Sequence, residues 1–132
     1  MGTFIANCIA DLLTEPTRVL VLGLTFKENV PDLRNSKVID LIRQLETRGH
    51  TVDVHDAMAV PEEAVERYGV ELLPDLSGNG YGALVGAVGH DAYTRFDHEA
   101  ISRLVKKGGL VADIKGLWRD VEISDALRYW LL

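Results

Sequence analysis

Cysteine is nearly absent from this chain: Cys8 stands alone among 132 residues. One thiol excludes an internal disulfide framework and fits a reducing compartment. Long apolar runs are missing as well, none approaching the roughly 20 residues that cross a bilayer. The opening stretch MGTFIANCIADLLTEP has neither a basic n-region nor a small-residue cleavage site, so it does not read as a signal peptide. Basic residues are in deficit, 14 Lys and Arg against 20 Asp and Glu, for a net charge of −6. That balance argues against a broad nucleic-acid-binding face, although it is compatible with a local cationic pocket. The four histidines show no metal-ligand spacing with one another or with the cysteine. No Ser/His/Asp arrangement or carboxylate pair specifies a reaction centre. The expectation is a cytoplasmic protein without membrane, nucleic-acid or metal partners, and with no catalytic residue in this chain.

What is present is an ordinary globular composition, 47% hydrophobic and 26% charged, in a length suited to about one domain. Residues 3–14 carry Phe4, Ile5, Cys8, Ile9 and Leu12 at helical spacing. This helix starts at the first methionine without an N-cap and reads as the end of something longer. Residues 18–22 (RVLVL) form a buried parallel strand. Asn35 or Ser36 caps a helix with Val38, Ile39, Leu41, Ile42 and Leu45 as its stripe, and Gly49 closes it. Further strands are read at 51–55, 70–73, 83–88 and 110–114. Between them lie a helix starting at Pro61 and one capped by Asp97 that buries Ile101, Leu104 and Val105. Lys106 and Lys107 are expected at the negative end of that last helix, with Gly108 and Gly109 stopping it. A short helix is read at 126–130. Alternating strands and helices predict an α/β fold, a Rossmann-like three-layer sandwich whose parallel sheet has about five strands in the order 3-2-1-4-5. Ligands of such sheets sit beyond the strand carboxyl ends where the order reverses. The loops at 23–35, 89–95 and 115–119 meet there.

The turn after the first strand is not a dinucleotide fingerprint, because Phe26 and Lys27 stand where G-x-G-x-x-G would place glycines. An aromatic face and a mobile ammonium suit a nucleotide-type ligand that is not gripped in the NAD manner. Lys27 is either a phosphate, base or sugar contact or a solvated loop lysine; Phe26 either lines a ring pocket or packs beneath the loop. Arg34 either presents its fork to a phosphate or braces the loop with Asp32. Lys115, just past the last read strand, becomes the second arm of one anion site if it converges with Lys27. Asp56 resembles the acid that reads an NAD ribose but follows Gly23 by 33 positions, not the roughly 20 of the fingerprint, so a turn or capping role is expected. Loop capping by Asp91 accounts for the His90–Asp91 pair as well as ligand contact does. Cys8 reads as a small buried hydrophobe.

The run GLTFKENVPDLRNSKVIDLIRQLETRGHTVDVHD resembles the start of the C-terminal, UDP-binding domain of UDP-glucose/GDP-mannose dehydrogenases. Its G-x-x-F-K turn, its Asp32, Arg34 and Ser36, and the later AVGHDAY and VADIKGLWR blocks carry the likeness along essentially the whole chain. GLTFKEN and DIKGLW are similar to the branch acting on UDP-N-acetylhexosamines. The resemblance implies that residues 1–15 end an interdomain and dimerisation helix and that 16–132 form the UDP-sugar-binding domain. It implies an NAD-dependent oxidoreductase of polysaccharide synthesis that oxidises a sugar C6 alcohol twice to a uronic acid. NAD and the catalytic cysteine then belong to a missing N-terminal domain, the full protein is a homodimer, and this fragment alone is inactive. Lys27 carries the substrate role; Lys115, Phe26 and Arg34 follow as substrate-binding or loop-bracing positions. Ala57 and Gly82 depart from the family's frequent proline and aspartate. The alternative is a free-standing Rossmann-like nucleotide-binding or interaction module without enzymatic activity.

Overall fold

The computed structural model describes residues 2–132, with side chains from Phe4 onward. Five parallel strands form one sheet in the order β2-β1-β3-β4-β5: β1 (Arg18–Leu22), β2 (Thr51–His55), β3 (Tyr81–Gly86), β4 (Val105–Asp113) and β5 (Arg128–Leu131). Helices α1 (Gly2–Leu12), α2 (Val38–Thr47), α3 (Pro61–Tyr68), α4 (Asp91–Thr94) and α5 (His98–Leu104) accompany them. The alternation of side chains along each strand splits the core in two. Val19 and Val21 join Ala83, Val85, Leu110 and Ala112 under α1, α2 and α3, whereas Leu20 and Leu22 join Leu84 and Val111 under α4, α5 and Trp118. A sheet covered on both faces is the three-layer α/β sandwich the sequence predicts.

Several local expectations differ in detail. The strand read at 70–73 shrinks to one bridge, Val54 to Leu72, on the outer side of β2. The neighbour order on that side is nonetheless the expected one. The tail at 126–130 is not helical. Its Arg128, Tyr129, Trp130 and Leu131 pair with Leu110, Val111, Ala112 and Asp113 as the edge strand, a place that suits aromatic residues. The α5 helix stops at Leu104 because Val105 turns extended and pairs with Tyr81. Lys106 and Lys107 therefore lie in an irregular start of β4, where the register shifts between Tyr81 and Ala83. Neither Asn35 nor Ser36 caps α2. Asn35 adopts a left-handed φ of 56°, and Ser36 is buried with its backbone N–H donating to the Tyr68 hydroxyl. That phenol itself donates to the Leu33 carbonyl, so an α3 residue fastens the approach to α2.

Other signals hold. Gly49 takes φ 93° and ends α2, Pro61 opens α3, and the Asp97 carboxylate accepts from Ala100 N at 2.9 Å. On α1 the buried face is rotated from the expected stripe: Ile5, Ala6 and Ile9, with Leu13 just past the helix end, enter the core, while Phe4 is 61% exposed. Cys8 is half-buried, not buried as its place in the stripe suggested.

Candidate functional site

Strand β1 leaves the sheet through Gly23, at φ +102°. A side chain there would collide with Val88 in the loop after β3, so the close approach and the backbone angle both require glycine. The next two amides, Leu24 N and Thr25 N, donate to Asp56 Oδ2 at 2.7 and 3.0 Å. The other oxygen, Oδ1, accepts from Met58 N and Ala59 N, each at 2.8 Å. Burial opposes ionisation of this carboxyl, but His90 and the amides of Leu24, Met58 and Thr25 outweigh it and hold Asp56 far below the usual carboxylate range. Asp56 thus has the turn role expected of it, through Met58 N and Ala59 N, and beyond that expectation it clamps the β1 loop through Leu24 N and Thr25 N.

This clamp bears directly on dinucleotide binding. In the G-x-G-x-x-G turn the amides after the first strand face a pyrophosphate. Here the Asp56 carboxylate has taken them, and the side chain is fully buried. A dinucleotide pyrophosphate does not fit at this turn.

Beyond the clamp the chain forms a cleft of about 280 Å³ at the carboxyl end of the sheet. Phe26 and Lys27 arrive from the β1 loop, Lys115 from the exit of β4, and Ala87 and Val88 from the exit of β3. Ile5 of α1 and Val38 and Leu41 of α2 supply an apolar wall. Phe26 is 54% exposed, so its ring is open to a ligand and is not packed beneath the loop. The structure therefore brings three of the four residues singled out in the sequence, Phe26, Lys27 and Lys115, to one place. Arg34 does not line the cleft. Its guanidinium is engaged with Asp32 through Nε to Oδ1 at 3.0 Å and Nη2 to Oδ2 at 3.1 Å. The pairing lowers the Asp32 carboxyl and raises the Arg34 guanidinium from their ordinary values.

Two cleft residues escaped the sequence reading. Lys37 stands at the start of α2, where no side chain caps the helix, and Glu28 follows Lys27 on the rim. In the sequence Lys37 stands between a serine and an apolar stripe, and only the packing of α2 beside the β1 loop brings it to the cleft. Among the described residues no group of His, Cys, Asp or Glu gathers to hold a metal ion. Nor is any helix among them long and apolar enough to cross a membrane.

The departures at Ala57 and Gly82 have physical partners. Ala57 N–H donates to the Tyr93 hydroxyl at 3.0 Å, a donor that proline lacks. Tyr93 is pinned further by His55, whose Nδ1 lies 2.7 Å from the same hydroxyl, and burial drives the phenol's pKa upward. A side chain at Gly82 would run into Thr17. Both positions are fitted to neighbours within this chain, Tyr93 of α4 and Thr17 just before β1.

Comparison with known proteins follows the same lines. A profile of the UDP-glucose/GDP-mannose dehydrogenase family, UDP binding domain, matches residues 20–120. UDP-N-acetyl-D-glucosamine 6-dehydrogenase of Pseudomonas aeruginosa is 40% identical over 89% of this chain and 29% of its own length. Protein CapL of Staphylococcus aureus is 39% identical over 100% of this chain and 32% of its own. The UDP-glucose dehydrogenase of Pyrobaculum islandicum superposes with a TM-score of 0.71 at 27% identity, over 98% of this chain and 28% of that one. The chain thus spans about a third of the length of the relatives it matches. With its five parallel strands, its F-K turn at the sheet's carboxyl end and this match, the chain belongs to the UDP-binding domain family of the UDP-glucose/GDP-mannose dehydrogenases.

Proposed function

We propose that this chain is the UDP-sugar-binding part of an NAD-dependent nucleotide-sugar 6-dehydrogenase acting on a UDP-N-acetylhexosamine in polysaccharide synthesis. The observation that carries the reading is the convergence of Phe26, Lys27 and Lys115 on one cleft. In it the Phe26 ring stacks on the base, and Lys27, Lys115 and Lys37 neutralise the diphosphate or bond the sugar. Arg34 acts one step removed, bracing the loop through Asp32. The cleft volume of about 280 Å³ lies just under the range of ligand pockets, roughly 300–1,000 Å³. It suits one nucleotide and leaves the sugar to reach a neighbouring surface.

NAD belongs elsewhere in this reading, because the β1 turn has given its amides to Asp56. A preceding domain supplies the hydride acceptor and the cysteine nucleophile, and α1 is the end of the helix that joins the two domains and pairs the subunits of a homodimer. Residues 1–15 are then linker and 16–132 the binding domain. What supports the dehydrogenase assignment is the identity to the Pseudomonas aeruginosa enzyme along 89% of this chain. Calorimetric titration with UDP, UDP-N-acetylglucosamine and NAD tests the proposal. Binding of the two uridine nucleotides without NAD is the expected result; binding of NAD without UDP overturns it.

A further inference from the structure

We propose that His90 is a positioning residue that holds the ligand-gripping pair Phe26 and Lys27 in register without touching the ligand; this rests on the cleft being a nucleotide site. His90 is 1% exposed and does not line the cleft. Its Nδ1 accepts from Asn29 N at 2.8 Å, which leaves that nitrogen without a proton and places the ring hydrogen on Nε2. Nε2 lies 3.1 Å from both Asp56 Oδ2 and Thr25 Oγ1. Thr25 Oγ1 in turn donates to the Lys27 carbonyl at 3.0 Å.

The consequence is a closed circuit around the two residues that matter. Upstream, Asp56 fixes the amides of Leu24 and Thr25; downstream, His90 fixes the amide of Asn29. Phe26 and Lys27 are spanned between those anchors. The downstream anchor sits at a left-handed turn, with Asn29 at φ 60°, a conformation asparagine adopts more readily than most residues. Its side chain is doubly bonded to Asp91, with Nδ2 donating to Asp91 Oδ1 at 3.1 Å and Oδ1 accepting from Asp91 N at 2.9 Å. One buried imidazole thus ties the loops after β1, β2 and β3 together. A loop already ordered spares a ligand the entropy of ordering it, so removing the tie lowers affinity from a distance.

The test measures amide hydrogen exchange in the ligand-free chain and UDP affinity by calorimetry, for wild type, His90→Ala, His90→Asn and His90→Gln. Asparagine places an acceptor where Nδ1 stands; glutamine places its amide where Nε2 stands. In His90→Ala, amides 26–29 are expected to exchange at least about tenfold faster while strand amides stay protected, with UDP Kd raised about tenfold. His90→Asn is expected to recover most of both losses and His90→Gln little of either. Unchanged protection of 26–29, or looser amides with unchanged Kd, overturns the proposal. Should His90→Ala lose the sheet itself, equal behaviour of the Asn and Gln variants overturns it. A wild-type chain that binds no UDP removes the nucleotide reading and this role with it, while the exchange data still report whether the tie exists.

Discussion

At the scale of single residues, Asp56 carries more of the site's architecture than any group on the cleft surface. It accepts four backbone amides and faces His90 while fully buried. Its folded pKa is depressed, so its contribution is present above the ordinary carboxylate range, near 4, and is lost as pH falls through the folded value. Asp56→Asn is expected to cost about 2–3 kcal/mol at pH 7 by chemical denaturation, and the gap to wild type is expected to close on acidification. A gap that widens toward acid would contradict the assignment. On the cleft itself, Lys27→Ala is expected to weaken UDP binding by about tenfold or more, the loss of one charge-assisted contact. Arg34→Ala, acting only through Asp32, is expected to change affinity less in the same titration. The reverse ranking would relocate the ligand.

At the scale of elements, the sequence was a good guide wherever a local rule decided the outcome. The RVLVL strand, the glycine stop at Gly49, Pro61 at its helix start and the Asp97 cap all follow from a residue and its immediate neighbours. The misreadings share a different cause. Tyr68 from α3 settled the entry to α2, so the caps proposed at Asn35 and Ser36 were not needed. The tail at 128–131 became a strand because β4 offered an open edge and Asp113 accepts from the Tyr129 hydroxyl at 2.6 Å. Phe26, Lys27 and Lys115 were legible as a set because strand carboxyl ends are where such folds place ligands. Lys37, the Asp56 clamp's full reach and the Asn29–His90 tie depend on contacts between distant segments, which no spacing rule encodes. Removing residues 128–132 is expected to bare the β4 edge, lower the melting temperature and make the chain associate in a concentration-dependent way. Melting and light scattering would detect both.

At the scale of the whole molecule, α1 belongs energetically to the same body as the sheet. Ile5, Ile9 and Leu13 sit in the larger core with strand residues of β1, β3 and β4. Ile9→Ala, at a position 0% exposed, is expected to cost about 2–5 kcal/mol in denaturant unfolding. The opposite side of the helix presents Phe4, and under the proposed homodimer a Phe4→Glu substitution is expected to shift the chain toward monomer in size-exclusion light scattering without lowering its stability. Unaltered association would point away from α1 as the pairing surface.

The occupied amides of the β1 turn have one more consequence, which concerns ionic strength. A carboxylate tethered in place competes with any dissolved anion from a high effective concentration, so free phosphate has little prospect of displacing Asp56 from Leu24 and Thr25. In the proposed site, anion recognition therefore falls to the lysine ammoniums of the cleft, on flexible stems, and not to rigid backbone dipoles. Attraction of that kind is largely screened beyond about 8 Å at physiological salt. Under the proposed function, affinity for a uridine diphosphate should accordingly fall as sodium chloride is raised, and acetylation of the cleft lysines should remove most of that salt dependence.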